Sequence, residues 1–207
     1  MDRILLSTVC LAALLSTVAV ARDDSAQAVS GTLEPLNRFA PNLTGRVTLT
    51  PEGDRLTMRL EAENVPPGMH LAHIHGFAKP EPADAVCPGK TADSNQDGYV
   101  DLIETRKQAG ITMIPFTDAP TSLQIQSHSY PTATERGQLS YERTVRLADL
   151  RRAVEAKFGT PLALEKRVVF IHGAPEGIEL PDSVQSLEGV PASVTIPIAC
   201  AELNATE

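Results

Sequence analysis

Short segments in which apolar and polar residues alternate run along most of the chain, and they predict β-strands. The clearest are GRVTLT and RLTMRLEAEN, which the turn sequence PEGD separates, so that an antiparallel hairpin is predicted. Strand-like segments continue along the chain as GTLEPLN, MHLAHIHGF, SLQIQSHSY, LSYERTVRL, EKRVVFIHG and ASVTIPIACAEL. We therefore expect an all-β protein built from many short strands.

Two stretches depart from this pattern. Around ADLRRAVEAKFG the spacing predicts a helix, with Gly159 as its stop signal before Pro161. Its apolar stripe repeats every three or four residues: Leu147, Leu150, Val154 and Phe158. Between residues 77 and 121 the alternation fails, and a segment of this length without strands of its own commonly carries function.

Composition narrows the class of protein. The 207 residues include 18 Lys and Arg against 26 Asp and Glu, for a net charge of -8, and 42% are hydrophobic. This apolar content and length suit one folded domain. Because the chain has no Lys/Arg cluster and no Trp, it lacks the positive surface and stacking side chains of nucleic-acid binders, and we expect no nucleic-acid partner.

The first residues are typical of a secretory signal. One basic residue precedes an apolar run from Ile4 to Val20, and Ala19 and Ala21 form a small-residue cleavage site. An uncleaved membrane anchor is the alternative. We expect a secreted or periplasmic protein with no membrane contact after cleavage. The predicted organisation is a signal peptide at 1–21, a flexible N-terminal tail at 22–30 and one domain at 31–207.

Cleavage would leave two cysteines, Cys87 and Cys200. Export to an oxidising compartment favours one disulfide between them, and two free buried thiols are the alternative.

The histidines suggest a metal site. His73 and His75 are alternate residues of a predicted strand, so both rings point to one side of it and could hold a single ion. At the end of another predicted strand, VVFIHG places His172 on the same face as Phe170. Three imidazoles would form an open nitrogen site that suits copper or zinc. For the His-x-His pair alone, surface histidines without a metal are the alternative.

Taken together, these segments resemble the copper/zinc superoxide dismutase family. The similarity covers about Gly31 to Leu203 and rests on PPGMHLAHIHGF, a cysteine twelve residues after His75, RVVFIHG and PIAC, in matching order. It implies a Greek-key β-barrel or sandwich with a long loop insertion and one short helix, and superoxide as the substrate. It also implies the following roles: His73, His75 and His172 as copper ligands, His70 as a structural residue, and Cys87 paired with Cys200.

The chain departs from that family in two respects. Residues 76–127 contain no histidine, whereas the family's zinc ligands include several in this region, so we do not expect a zinc site. Pro197 stands where the family has an arginine that guides superoxide, and the net charge of -8 offers no evident substitute for it. His128 is either a fourth copper ligand or a plain surface histidine.

A calcium-loop motif occupies the long insertion. DSNQDGYVDLIE at 93–104 matches the twelve-residue calcium loop, with Gly98 at its sharp turn. Hard oxygen ligands at this spacing favour Ca²⁺, and an acidic turn without an ion is the alternative. LIETRKQAG predicts a short helix leaving the loop, whereas Pro88 and Gly89 disfavour a helix entering it. The predicted calcium ligands are Asp93, Asn95, Asp97, Tyr99 through its carbonyl, Asp101 and Glu104.

These features lead to different functional hypotheses. The first is a secreted copper enzyme that dismutes superoxide, with Ca²⁺ stabilising the insertion. The second is a non-catalytic extracellular module on the same fold that binds copper and calcium or a partner. A third is that the histidines are relics and only Ca²⁺ binds. The three histidines support the first hypothesis, and the missing arginine and zinc ligands oppose it.

Overall fold

The computed structural model of the chain describes residues 27–206, in which antiparallel β-sheet predominates over helix. The predicted signal peptide lies outside the described residues, as do residues 22–26 of the predicted tail. At residues 29–30, the last two of the predicted tail, the prediction of a flexible segment is wrong. Val29 and Ser30 belong to the first strand, and Val29 is buried in the main core.

The described part contains twelve strands and three α-helices. The strands are β1 (Val29–Thr32), β2 (Glu34–Pro35), β3 (Thr44–Glu52), β4 (Arg55–Glu63), β5 (Gly68–Met69), β6 (Leu71–Gly76), β7 (Ile111–Pro115), β8 (Thr132–Ala133), β9 (Leu139–Arg146), β10 (Val168–His172), β11 (Pro197–Glu202) and β12 (Asn204–Ala205). The helices are α1 (Leu102–Ala109), α2 (Leu147–Phe158) and α3 (Ala192–Thr195). Short 3₁₀ turns occur at Lys90–Ala92, Pro120–Ser122 and Leu164–Lys166.

Ten of these strands form two antiparallel sheets of five, and β5 pairs with β8 separately. The first sheet has the order β12-β1-β3-β4-β9, and the second has the order β2-β11-β10-β6-β7. The predicted hairpin is present, because β3 and β4 pair continuously up to Glu52 and Arg55. The all-β prediction is confirmed, and within residues 27–206 the sheets do not close into a barrel.

The main core lies between the two sheets. Leu49 and Met58 of the first sheet and Ile74 and Ile171 of the second belong to one cluster of buried side chains. Burying a side chain of this size contributes about 1.5–3 kcal/mol relative to leaving it in water. The predicted helix α2 adds the buried residues of its stripe to this cluster: Leu147, Leu150 and Val154.

The second sheet is also covered on its outer face. All five residues of β10 are buried, and alternate residues face opposite sides of the strand. Ile171 contributes to the main core, whereas Val168 and Phe170 belong to a separate cluster with Cys200. Ala85, Val100 and other residues of the long insertion complete that cluster. The insertion therefore shelters the outer face from water.

Three strand predictions are wrong, one of them only in part: the first four residues of ASVTIPIACAEL form α3, and β11 begins at Pro197. Ile111–Pro115 forms β7, although the segment from 77 to 121 was expected to have no strand. SLQIQSHSY at 122–130 forms no strand, since serine hydroxyls take part in its local backbone bonding. Ser129 Oγ accepts the Asp118 N–H at 3.1 Å, and Ser127 Oγ accepts the Ser129 N–H at 3.1 Å.

Candidate metal centre

Three histidine side chains meet on the outer face of the second sheet. His73 and His75 come from β6, and His172 ends β10. Each ring offers one nitrogen, and these three atoms lie within 4.8 Å of one another. The residues are 3%, 1% and 2% exposed, respectively. The structure thus brings together the three histidines that the sequence predicted to share a site, and it buries all three.

Two irregularities of the second sheet lie beside these histidines. The register between β6 and β7 shifts between Ile74 and His75. The register between β10 and β11 shifts between Ile171 and His172. Such bulges bend a strand locally and re-aim a side chain. In both cases the extra residue lies on the neighbouring strand, Met113 on β7 and Ile198 on β11, whereas β6 and β10 pair with each other without a shift.

Each of the three rings is held by one hydrogen bond to the rest of the protein. The partners are a phenol, a threonine hydroxyl and a backbone carbonyl, and they come from three different segments. The contacts join His73 Nε2 to Tyr130 Oη (2.6 Å), His75 Nε2 to Thr112 Oγ1 (3.1 Å) and His172 Nδ1 to the carbonyl oxygen of Thr195 (2.7 Å).

The other nitrogen of each ring has no hydrogen-bond partner. These atoms are Nδ1 of His73, Nδ1 of His75 and Nε2 of His172, and all three are buried. Buried polar atoms in folded proteins nearly always have a partner. Three orphaned nitrogens on three clustered rings therefore indicate a ligand that the described part of the chain does not itself supply.

Burial keeps these rings neutral. It lowers the pKa of His73 and His75 well below the ordinary value, and repulsion from His172 lowers both further. Burial also lowers the pKa of His172 to about 4, although its hydrogen bond to the Thr195 carbonyl raises it. A neutral imidazole has one unprotonated nitrogen that can bind a metal. The donor set, three imidazole nitrogens, fits copper or zinc.

The remaining histidines lie outside this group. His70 is buried, with Nε2 2.6 Å from the Pro66 carbonyl oxygen and Nδ1 3.0 Å from the His172 carbonyl oxygen. Gly173, with φ +116°, packs on the His70 ring, where an added Cβ would lie 3.0 Å from Nδ1. His128 is exposed and is not part of the group, which agrees with the surface-histidine alternative.

The two cysteines form the predicted disulfide. Their Cα atoms are 5.8 Å apart. Cys200 is buried in β11, opposite Phe170 of β10, and the Cys87 N–H donates to the Glu202 carboxylate at 2.9 Å. The start of the insertion is therefore fastened to the sheet that carries the histidines.

The predicted calcium loop is a tight turn followed by α1. The Asp93 carboxylate accepts the N–H groups of Asp97 (3.1 Å) and Gly98 (2.9 Å), and Gly98 has φ +89° at the sharp turn. The short helix predicted to leave the loop is present, with Asp101 as its N-cap. Between β6 and the loop, the only helical element of the described chain is the 3₁₀ turn Lys90–Ala92. The structure therefore agrees with the expectation that no helix enters the loop.

One of the predicted calcium ligands, Glu104, already accepts hydrogen bonds from backbone N–H groups of the loop. Glu104 accepts the N–H groups of Ser94 (2.7 Å) and Asp101 (3.1 Å). Among residues 27–206, the three-histidine group is the only one in which at least three His, Cys, Asp or Glu ligand atoms lie within 4.8 Å of one another. The loop carboxylates are thus not gathered in this way, and calcium binding stays a prediction.

Hydrogen bonds connect the loop to the surroundings of the metal centre. The Asp101 carboxylate accepts the Gln185 N–H at 2.7 Å. The next residue, Ser186, has its Oγ 2.7 Å from Thr195 Oγ1, and the Thr195 carbonyl accepts from His172. The insertion is therefore joined to the histidine centre through the segment that contains Gln185 and Ser186.

Sequence reasoning missed the three residues that bond to the histidines. Tyr130, Thr112 and Thr195 lie 57, 37 and 23 positions from their partners. No periodicity marks them, because each contact depends on how distant segments fold over the sheet. Tyr130, which follows Ser127 and Ser129, was the available signal, but the segment was predicted to be a strand.

Compared with protein-family models and with curated proteins, the chain gives no match. Within the described residues, no helix has both the length and the apolar character that crossing a membrane requires. What the chain does is therefore inferred from the chemistry of the three histidines and their surroundings.

Proposed function

We propose that this chain is an exported metal-binding protein in which His73, His75 and His172 hold a copper ion. The observation that carries the proposal is the set of three buried ring nitrogens without hydrogen-bond partners. The group contains neither carboxylate nor thiolate, and imidazole nitrogen is a poor match for Ca²⁺ or Mg²⁺. Among divalent ions that imidazole suits, Cu²⁺ generally binds more tightly than Zn²⁺.

The resemblance to copper/zinc superoxide dismutases supports a finer proposal, a Greek-key sandwich of that type that dismutes superoxide. Two five-stranded antiparallel sheets, with the histidines on β6 and β10 and a disulfide to β11, are compatible with it. Bound copper would supply one-electron chemistry, in which one superoxide is oxidised to dioxygen and a second, with two protons, is reduced to hydrogen peroxide. The chain's own part would be to hold the ion on three neutral rings.

A non-catalytic copper-holding module is the second candidate. The three histidines are at most 3% exposed, so an anion from solvent has little direct access to their rings. Pro197 carries no charge that could attract superoxide, and the net charge of -8 opposes its approach. Storage of copper needs no anion at the ring nitrogens, so these observations favour a storage role.

The proposed compartment is extracellular or periplasmic. A disulfide such as Cys87–Cys200 is typical of oxidising compartments, and the signal-like N-terminus supports export. In the same proposal Ca²⁺ binds the 93–104 loop as a structural ion. Its removal with EGTA should then increase proteolysis between Cys87 and Gly110, and unchanged cleavage would count against calcium.

Elemental analysis tests the metal proposal most directly. Cu, Zn and Ca are measured per chain in protein purified from the compartment that exports it. About one copper per chain is expected in the wild type and in His128→Ala, because His128 is exposed and outside the group. Copper should be lost from His73→Ala and His172→Ala. Full copper content in both of these variants would refute the site.

Dismutation rates then separate the two candidates. An enzyme should show a copper-dependent rate that His73→Ala and His172→Ala abolish and that His128→Ala retains. Stoichiometric copper without a rate above that of the metal-free protein would favour the storage or delivery module.

A further inference from the structure

We propose that Tyr130 is a positioning residue that sets which nitrogen of His73 carries the proton, and thereby leaves Nδ1 of that ring free for a metal ion. The inference rests on the proposed metal site and adds to it a residue that prepares one of the ligands. The sequence pattern did not single out Tyr130. Its segment is distant along the chain from both strands that carry the histidines, although its hydroxyl contacts His73.

The directions of two hydrogen bonds locate the ring proton. The Tyr130 hydroxyl donates to the carbonyl oxygen of Ile125 at 2.8 Å, and a carbonyl can only accept. The same phenolic oxygen lies 2.6 Å from His73 Nε2. The hydroxyl has one proton, and this proton is in the hydrogen bond to the Ile125 carbonyl. The Nε2–H of His73 must therefore donate to the Tyr130 oxygen. A neutral imidazole has a single N–H, so Nδ1 is left unprotonated.

The unprotonated nitrogen is the one that faces the site without a partner. Nδ1 of His73 is buried and has no hydrogen bond in the described part of the chain. Tyr130 is itself buried, and its ring meets the His73 ring edge-on with centroids 5.2 Å apart and planes at 77°. Packing therefore restrains the orientation of His73, while the hydrogen bond selects its tautomer.

The other two histidines differ in how their tautomers are set. His172 donates its Nδ1–H to the Thr195 carbonyl, a backbone group that no side-chain substitution removes. His75 lies against the Thr112 hydroxyl, which can donate or accept and so imposes neither tautomer. Tyr130 is therefore the side chain whose replacement removes a tautomer restraint from the centre.

The test compares Tyr130→Phe with Tyr141→Phe. Tyr141 is also buried, and its hydroxyl also donates to a backbone carbonyl, that of Thr117 at 2.8 Å. Both variants lose such a hydrogen bond, but only Tyr130→Phe loses the acceptor for His73. The difference between the two variants isolates the contact with the histidine from the general effect of removing a buried phenol.

Two measurements are made on each full-length protein. The His73 tautomer is read from ¹⁵N–¹H NMR correlations of its ring in EDTA, and Cu²⁺ and Zn²⁺ affinities are read by competition with a chelator. We expect the Nε2–H tautomer in wild type and Tyr141→Phe, and a mixture in Tyr130→Phe. Affinity should fall about 10- to 100-fold in Tyr130→Phe, the usual effect of removing such a partner, and stay near wild type in Tyr141→Phe.

The remaining outcomes overturn the inference in distinguishable ways. Unchanged affinity and tautomer in Tyr130→Phe would overturn the positioning role and leave the metal site standing. Weaker binding with the Nε2–H tautomer retained would mean that Tyr130 acts through packing, which also overturns it. A wild-type protein that binds neither ion would overturn the proposed function, and this inference with it.

Discussion

Asp101 and Glu104 bond to each other across the first turn of α1. The Asp101 carboxylate accepts the backbone N–H of Glu104 at 3.0 Å, and the Glu104 carboxylate accepts the backbone N–H of Asp101 at 3.1 Å. This reciprocal pair satisfies N–H groups that the start of a helix leaves unpaired. Both residues are also predicted calcium ligands. Because their reciprocal hydrogen bonds need no ion, they stabilise the end of the loop even when no ion is bound.

Asp101→Ala should therefore lower the free energy of unfolding by about 1–2 kcal/mol even in EGTA, because it removes the helix cap. Asp101→Asn is the matched control, since its amide oxygen can still accept the Ile103 and Glu104 N–H groups that Asp101 Oδ1 accepts, while its charge is gone. Urea unfolding in EGTA should show a smaller loss for Asp101→Asn. Calorimetric titration should show weakened Ca²⁺ binding in both variants. Equal stability of Asp101→Ala and wild type in EGTA would contradict the capping role.

The disulfide should contribute strongly to stability. Replacing Cys87 and Cys200 together by alanine is expected to cost about 2–5 kcal/mol, because the bond links residues 113 positions apart in the unfolded chain. Alanine avoids placing a hydroxyl at the buried position 200. Urea denaturation in EDTA measures the loss without any contribution from bound metal. Wild-type protein in reductant should unfold near the midpoint of the double variant, and no shift in either sample would contradict the expectation.

Strands could be predicted where they bury only one face, because such strands alternate apolar and polar residues. β3 and β4 alternate cleanly, so their pattern and the turn between them were sufficient. β7 begins with an exposed residue and ends with three buried ones, so it shows no alternation to detect. SLQIQSHSY alternates, yet its serine hydroxyls bind nearby backbone groups and the segment folds over the sheet instead of joining it.

The metal-free protein should lose stability as the pH falls below about 6.5, the ordinary histidine value. In the unfolded chain the three histidines take up protons in that range, whereas burial lowers the pKa of His73 and His75 and brings that of His172 to about 4. The unfolded state then binds more protons, so the free energy of unfolding falls by about 1.4 kcal/mol per pH unit for each such histidine.

Urea midpoints between pH 7 and pH 4.5, measured in EDTA, test this pH dependence. His172→Gln should flatten it, because one titrating group is gone. An unchanged slope in that variant would show that His172 does not contribute.

Arg167 should be important for stability through hydrogen bonds to backbone carbonyls. Its buried guanidinium donates to the carbonyl oxygens of Phe77 (3.0 Å), Leu162 (3.2 Å) and Pro161 (2.8 Å). Arg167→Met would leave these acceptors unpaired in the interior and should cost about 2–4 kcal/mol.

Arg59→Met is the control for that substitution. Arg59 pairs with Glu142 across β4 and β9, but both side chains are about half exposed, so its loss should cost less than about 1 kcal/mol. Thermal or urea unfolding of the two variants measures the difference. Similar losses in both would contradict the proposed role of Arg167.

The three clustered histidines were predictable because strand alternation alone places His73 with His75, and because His172 ends a strand with its own apolar pattern. Their hydrogen-bond partners were not, since Tyr130 reaches His73 only through the fold of a distant loop. The chemistry of the site could therefore be read from local sequence, whereas the selection of each ligand atom depended on tertiary structure.

The position of β11 determines when the proposed metal site can form during synthesis. β11 lies between β2 and β10 in the second sheet, and it follows every other long strand of the described chain. It pairs with the strand that ends at His172, and it carries Cys200. During synthesis, His75 is added 122 residues before Pro197, the first residue of β11, and His73 is added 124 residues before it. If the proposed site binds an ion, we therefore expect capture only after β11 has been synthesised and has paired with β10.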